Sequence, residues 1–209
     1  MPKYPQLAFF ALILSFFVTA MAETTDSKPV FVGYEGCQMC HRDEYADWRR
    51  SKHAKAFELL KPGNKKVEKK RAELDPDKDY TTNIKCLPCH TTGYRESGGF
   101  INIEEAPTRI GVGCEMCHGP GSEYRKIHKA KPLTFSRDEV MASGQIYGSS
   151  NPEVCNRCHK NKDAPMNPGI DKKYVFNLEE RLKNNRSFHK FYKSKGHENP
   201  DVQITEPLE

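Results

Sequence analysis

Every cysteine of the chain falls in a Cys-x-x-Cys-His motif. There are four copies, Cys37-Gln38-Met39-Cys40-His41, Cys86-Leu87-Pro88-Cys89-His90, Cys114-Glu115-Met116-Cys117-His118 and Cys155-Asn156-Arg157-Cys158-His159, and no cysteine is left over. The pattern is the attachment signature of c-type haem. Two thiols bond the edge of the porphyrin, and one helical turn brings the next histidine beneath the iron. Structural zinc uses paired cysteines as well, but does not require a histidine directly after each pair. A disulfide within Cys-x-x-Cys is tight and redox-active rather than a staple. The motifs therefore predict four covalently bound haem c groups. Cys37, Cys40, Cys86, Cys89, Cys114, Cys117, Cys155 and Cys158 would carry them, and His41, His90, His118 and His159 would be the proximal iron ligands.

The N-terminus reads as an export signal. Lys3 precedes an apolar run from Leu7 to Val18, and Ala20-Met21-Ala22 is an A-x-A cleavage site. Residues 1–22 are expected to be removed, and the run is short of the roughly 20 residues of a membrane span. This predicts a periplasmic protein, with an extracellular location as the alternative, and no membrane span in the mature chain. Residues 23–197 form a single expected domain, and residues 198–209 a flexible tail.

Composition is intelligible only with the haems included. Mean hydropathy is −0.78 and 36% of residues are hydrophobic, a thin supply for an ordinary core. Porphyrin faces must supply the missing apolar surface. The formal charge of +5 is partly cancelled by ionised haem propionates. The lysine runs thus suit propionate pairing and docking to redox proteins rather than nucleic acid.

Along the chain, Met39 to Leu60 predicts a long helix carrying Tyr45, Trp48, Ala54, Phe57 and Leu60, ended by Pro62-Gly63. Lys65 to Leu74 is almost wholly charged and predicts a solvated helix. Gly98 to Ile103 suggests a turn and one strand of a small hairpin. Residues 131–153 are expected to be surface chain, and Tyr174 to Lys195 a last helix ending at Gly196. The fold class is mainly α: a multihaem cytochrome c with long helices and loops around four closely packed haems, and little β. The motifs start 49, 28 and 41 residues apart, so there is no regular repeat.

Four histidines remain outside the motifs: His53, His128, His189 and His197. Their number equals the number of haems, which predicts distal ligation for most of them and low potentials. His41 and His53 are 12 residues apart, about 18 Å along a straight helix. His53 should therefore reach a haem of another motif, and His128, beyond a Gly-Pro-Gly break from His118, should too. Met141 and Met166 are the rival axial ligands.

Several stretches resemble one known family. They include Cys37-x-x-Cys40-His41 through Trp48, His53-Ala54-Lys55-Ala56, Leu60-Lys61-Pro62 and Leu74-Asp75-Pro76-x-Lys78-Asp79-Tyr80-Thr81. They continue in Gly98-Gly99-Phe100, in Gly111-Val112-Gly113-Cys114-Glu115-x-Cys117-His118-Gly119-Pro120-Gly121, and in His128. The chain resembles, from about Tyr34 to Gly196, the family of the tetrahaem cytochrome that accepts electrons from hydroxylamine oxidoreductase. The resemblance implies a mainly helical fold, three bis-histidine irons and one five-coordinate iron at the second motif. By position it implies His128 for the first haem, His53 for the third and His189 for the fourth. His197 departs from the pattern: it could close the second haem or reach a neighbouring subunit.

Three functions compete. The chain could be an electron carrier between redox proteins, including a hydroxylamine oxidoreductase-like donor. It could be an enzyme reducing nitric oxide or a related nitrogen ligand at an open haem. It could be a subunit of an extracellular haem filament. The carrier reading needs no residue beyond those already named, and oligomeric state stays open.

Overall fold

The structure, a computed structural model, describes residues 28–132, 134–147, 151–183 and 189. The expected export signal at 1–22, His197 and the expected tail at 198–209 lie outside the described residues. Helices α1 (Glu35–Gln38), α2 (Arg42–Arg50), α3 (Lys66–Arg71) and α4 (Leu87–His90) come first. They are followed by α5 (Glu115–His118), α6 (Tyr124–Ala130), α7 (Arg137–Ala142), α8 (Glu153–His159) and α9 (Leu178–Lys183). Short 3-10 turns occupy Phe57–Leu60, Pro107–Arg109 and Lys172–Tyr174. The fold is mainly helical, and among the described residues there is no strand; Thr91 and Ile110 form an isolated antiparallel bridge.

The helices are shorter than the sequence pattern suggests. The predicted helix from Met39 to Leu60 is broken twice. His41 leaves the helical region (φ −105, ψ 58), and Ser51 turns extended at the end of α2 (ψ 164). The Ser51 hydroxyl accepts the Ala54 amide at 3.2 Å, a local bond that competes with helix continuation. The chain is then held by the loop before the third motif. Trp48 Nε1 donates to Val112 O at 2.8 Å, and Val112 N donates to His53 O at 3.0 Å. Gly111 makes this approach possible: its φ is +78, and a Cβ there would meet the Ala54 carbonyl.

Other expectations are corrected in the same way. The segment 98–103 is not a strand, because Phe100 turns inward to 1% exposure and its amide bonds Thr92 O. Residues 131–153 are not merely surface chain: α7 buries Val140 completely. The last helix is described only as the 3-10 turn at 172–174 and as α9. The charged stretch forms α3 as expected, but Lys69 within it is buried.

An ordinary side-chain core surrounds the second motif. Phe57, Leu60, Tyr80, Leu87, Phe100 and Ala106 are buried together, with Leu74, Cys86, Tyr94 and Ile110 packed against them. Phe57 and Phe100 meet at 5.6 Å between ring centroids. A second aromatic group, Tyr34, Tyr45 and Trp48, joins α1 to α2.

Candidate functional site

Each attachment motif is built on one helical turn. His41 N bonds Cys37 O at 3.0 Å, and His118 N bonds Cys114 O at 3.0 Å. This winding brings both thiols and the histidine toward one side. Pro88, near the start of α4, gives up an amide that a helix start leaves unpaired anyway. Gly119 ends α5 at φ +79, where a Cβ would collide with the Gly144 carbonyl.

The four motifs open onto one cavity of about 2320 Å³, well beyond the roughly 300–1,000 Å³ of a single small-molecule site. All eight cysteines line it, with His41, His53, His90, His118, His128, His159 and His189. Contacts among the cysteines show how the motifs are ordered in space. Cys37 of the first motif hydrogen-bonds Cys114 of the third, which pushes Cys37 toward thiolate and Cys114 away from it. Cys89 of the second motif does the same with Cys158 of the fourth and is drawn down to about 7. Helix α5 packs on α8, and burial followed by the nearby Cys155 raises Cys117 to about 11. The spatial order is therefore first, third, fourth, second, not the chain order.

Two pairs of imidazoles face each other across the cavity. His118 and His189 have ring centroids 6.3 Å apart and lie within 23° of parallel. His53 and His159 are 6.0 Å apart at 71°. A metal–imidazole bond of about 2.0–2.1 Å puts two rings sharing one metal roughly 6–6.5 Å apart between centroids. Both gaps thus have the width of one iron. In this structure the His53 ring faces the fourth motif and His189 the third, where the resemblance implied the third haem for His53 and the fourth for His189. The His53 backbone is tied to the loop before the third motif, but its ring turns toward the fourth.

His128 lines the cavity with His41. It stacks on Phe135 at 4.3 Å and 20°, and its Nε2 lies 3.0 Å from Gln145 Oε1. At the second motif, His90 Nδ1 donates to Ala56 O at 2.6 Å, which leaves Nε2 free for iron. Among the described residues no second histidine ring is paired with His90. Met141 is exposed, and Met166 meets the Tyr174 hydroxyl.

Three of the imidazoles are pushed toward the neutral form that ligation of iron requires. Burial, then the neighbouring His189, pushes His118 down to about 4, against a backbone hydrogen bond at Ile146. Burial, then His53, does the same for His159, also to about 4. Burial lowers His90, with the Ala56 carbonyl opposing.

Two residues inside the motifs escaped sequence reading. Glu115 is 2% exposed, and its carboxylate accepts amides from Val32 at 2.8 Å, Gly33 at 2.7 Å and Gly121 at 2.7 Å. It pins the N-terminal segment to the third motif. Arg157 donates to the Met116 carbonyl and lies 3.7 Å from its sulfur, which joins the fourth motif to the third. The only available sequence signal was a charged side chain at a variable position of the motif.

Known proteins match this chain in sequence and in fold. Residues 36–119 match the family described as cytochrome c554 and c-prime. Cytochrome c-554 of Nitrosomonas europaea is 33% identical over 198 residues, covering 86% of this chain and 83% of that protein. The solved structure of the reduced state of cytochrome c554 from the same organism superposes with a TM-score of 0.75 at 35% identity. It covers 81% of this chain and 89% of the other. The protein carries four covalently bound haem c groups and transfers electrons between them and its redox partners, and the chain belongs to the cytochrome c554 family.

Proposed function

We propose that the mature chain, residues 23–209 after removal of a signal peptide at 1–22, works in the periplasm. There it accepts electrons from a hydroxylamine oxidoreductase-like enzyme and delivers them to a second redox protein. The donor comes from the family resemblance. No helix among the described residues is long and apolar enough to cross a membrane, which is compatible with that setting.

The chain's own residues would do three things. His41, His118 and His159 hold three irons from the proximal side, with His128, His189 and His53 as their respective distal ligands. His90 holds the fourth iron with its sixth position open, since no described imidazole stands opposite it. The thiols set the spatial order, so neighbouring motifs in the row are those whose cysteines touch. Each bound haem supplies one-electron storage, and close spacing lets the four act as one conductor. The observation that carries this reading is the His118–His189 pair, 6.3 Å apart and nearly parallel.

Electron paramagnetic resonance of the oxidised, purified protein tests it. The expected spectrum has three low-spin ferric centres and one high-spin centre. Four low-spin centres would mean that the second haem is closed, with His197 as its ligand. Reduction on mixing with hydroxylamine and its oxidoreductase is the expected donor reaction, and failure to reduce would exclude that donor.

A further inference from the structure

Lys69 sits on α3, a helix otherwise committed to solvent, yet only 4% of the residue is exposed. Its Nζ donates to Lys61 O at 2.8 Å and lies 5.3 Å from the centroid of the Tyr80 ring. Other cations of the same stretch each meet a carboxylate at the surface: Lys65 with Glu68, Lys66 with Asp77 and Arg71 with Asp171. Among the described residues, none forms an ion pair with Lys69. Lysine is almost never buried without a partner, because an ammonium away from water needs compensating charge or hydrogen bonds. This one has three donors, and the Lys61 carbonyl takes one of them.

The side chain also borders the haem cavity. Lys69, Tyr80, Leu60 and Asn83 line it together with Cys86, Cys89 and His90. Tyr80, beneath the ammonium, belongs to the cluster against which Cys86 packs.

We propose that Lys69 is the counter-cation of the second haem: its ammonium binds a propionate carboxylate of the group attached to Cys86 and Cys89 and holds that haem's reduction potential up. A haem propionate is the anion that attachment at this motif brings into the cavity. Reduction adds one negative charge to the haem. A cation held away from water beside it favours the reduced form more than it would in solvent. This rests on haem attachment at the second motif and not on the coordination number of its iron.

Potentiometric titration of the holoprotein, with each haem's midpoint resolved, tests the assignment in wild type, Lys69→Gln and Lys69→Arg. In Lys69→Gln one midpoint is expected to fall by about tenfold in its reduction equilibrium, about 59 mV for one electron. The other three should stay in place, and Lys69→Arg should restore the first. Unmoved midpoints with a lower melting temperature would overturn the proposal and leave Lys69 as a packing residue that ties α3 to Lys61. An equal shift at all four haems would overturn it too. Should Lys69→Gln fail to assemble, a crystal structure of the wild-type holoprotein decides. A propionate oxygen in ion-pair contact with Lys69 Nζ supports the proposal, and propionates placed elsewhere refute it. None of these outcomes depends on the spin state of the second haem, so failure here is distinct from failure of the ligation scheme.

Discussion

The second and fourth motifs carry the same chemistry in opposite surroundings. Around the second motif, residues 57–110 hold a conventional core, with Phe57 and Phe100 each 1% exposed and Leu87 3%. Around the fourth, no described residue from Asn151 onward is buried. Apart from the Arg157–Met116 hydrogen bond and the packing of α8 on α5, its contacts are with the cavity and with rings that border it: Phe176 stacks on His159 at 4.4 Å and 11°, and His53 faces His159. Exposed ion pairs, Arg71–Asp171 at 2.7 Å and Lys173–Glu68 at 3.4 Å, tether residues 171–173 to α3, and such pairs are each worth about 0–1 kcal/mol. One motif is thus embedded in protein, whereas the other depends on its haem for burial. The same covalent attachment secures a cofactor in the first setting and a stretch of chain in the second.

The largest expected effect breaks that comparison at the weaker end. Cys155→Ser with Cys158→Ser should leave three haems by mass spectrometry and open residues 151–183 to trypsin at Lys160 and Lys162. The matching pair at Cys86 and Cys89 also removes one haem, but should leave residues 57–110 resistant by comparison. Equal digestion of both variants would show that the fourth-motif segment holds itself. Next, Phe57→Ala is expected to destabilise the holoprotein by about 3–5 kcal/mol in chemical denaturation. Phe176→Ala should cost only about 1 kcal/mol, the scale of one aromatic contact. Similar losses at the two positions would mean that the two regions share one core.

Acidification should give a graded effect. His118 and His159 are pushed down to about 4, against about 6.5 in the unfolded chain. Between those values the unfolded chain binds protons that the folded one does not, so stability falls as pH drops from about 6.5 to about 4 and levels off below. Ligation by iron acts in the same direction. The optical change from low to high spin should therefore follow this window at the third and fourth haems. A spectrum unchanged down to pH 4 would show that iron holds these imidazoles far more tightly than burial does.

The attachment motifs were legible in the sequence as candidates, because a covalent motif is local: five consecutive residues contain all the geometry it needs, and the structure lines one cavity with all four. The spare histidines were legible as a set. Their partners were not, since the His53 backbone is held by Val112 near the third motif while its ring faces the fourth. No spacing rule reports a rotation of that kind. Helix lengths were overestimated where a single hydroxyl, that of Ser51, diverts the backbone, and α7 was missed because its one deeply buried residue, Val140, leaves no periodic signal. Lys69 was read as solvated for the same reason: its helix is charged on every side, and only Tyr80 and Lys61, brought over by the fold, reveal which lysine turns inward.

The sequence alone pointed to four attached haems, named the candidate thiols and proximal histidines, and required that the haems replace much of the missing apolar core. Both follow from local chemistry and composition. Tertiary structure decided the spatial order of the motifs, the pairing of imidazoles across 6.0 and 6.3 Å gaps, and the burial of Glu115 and Lys69. These depend on contacts between residues far apart in the chain, which spacing along the sequence does not encode.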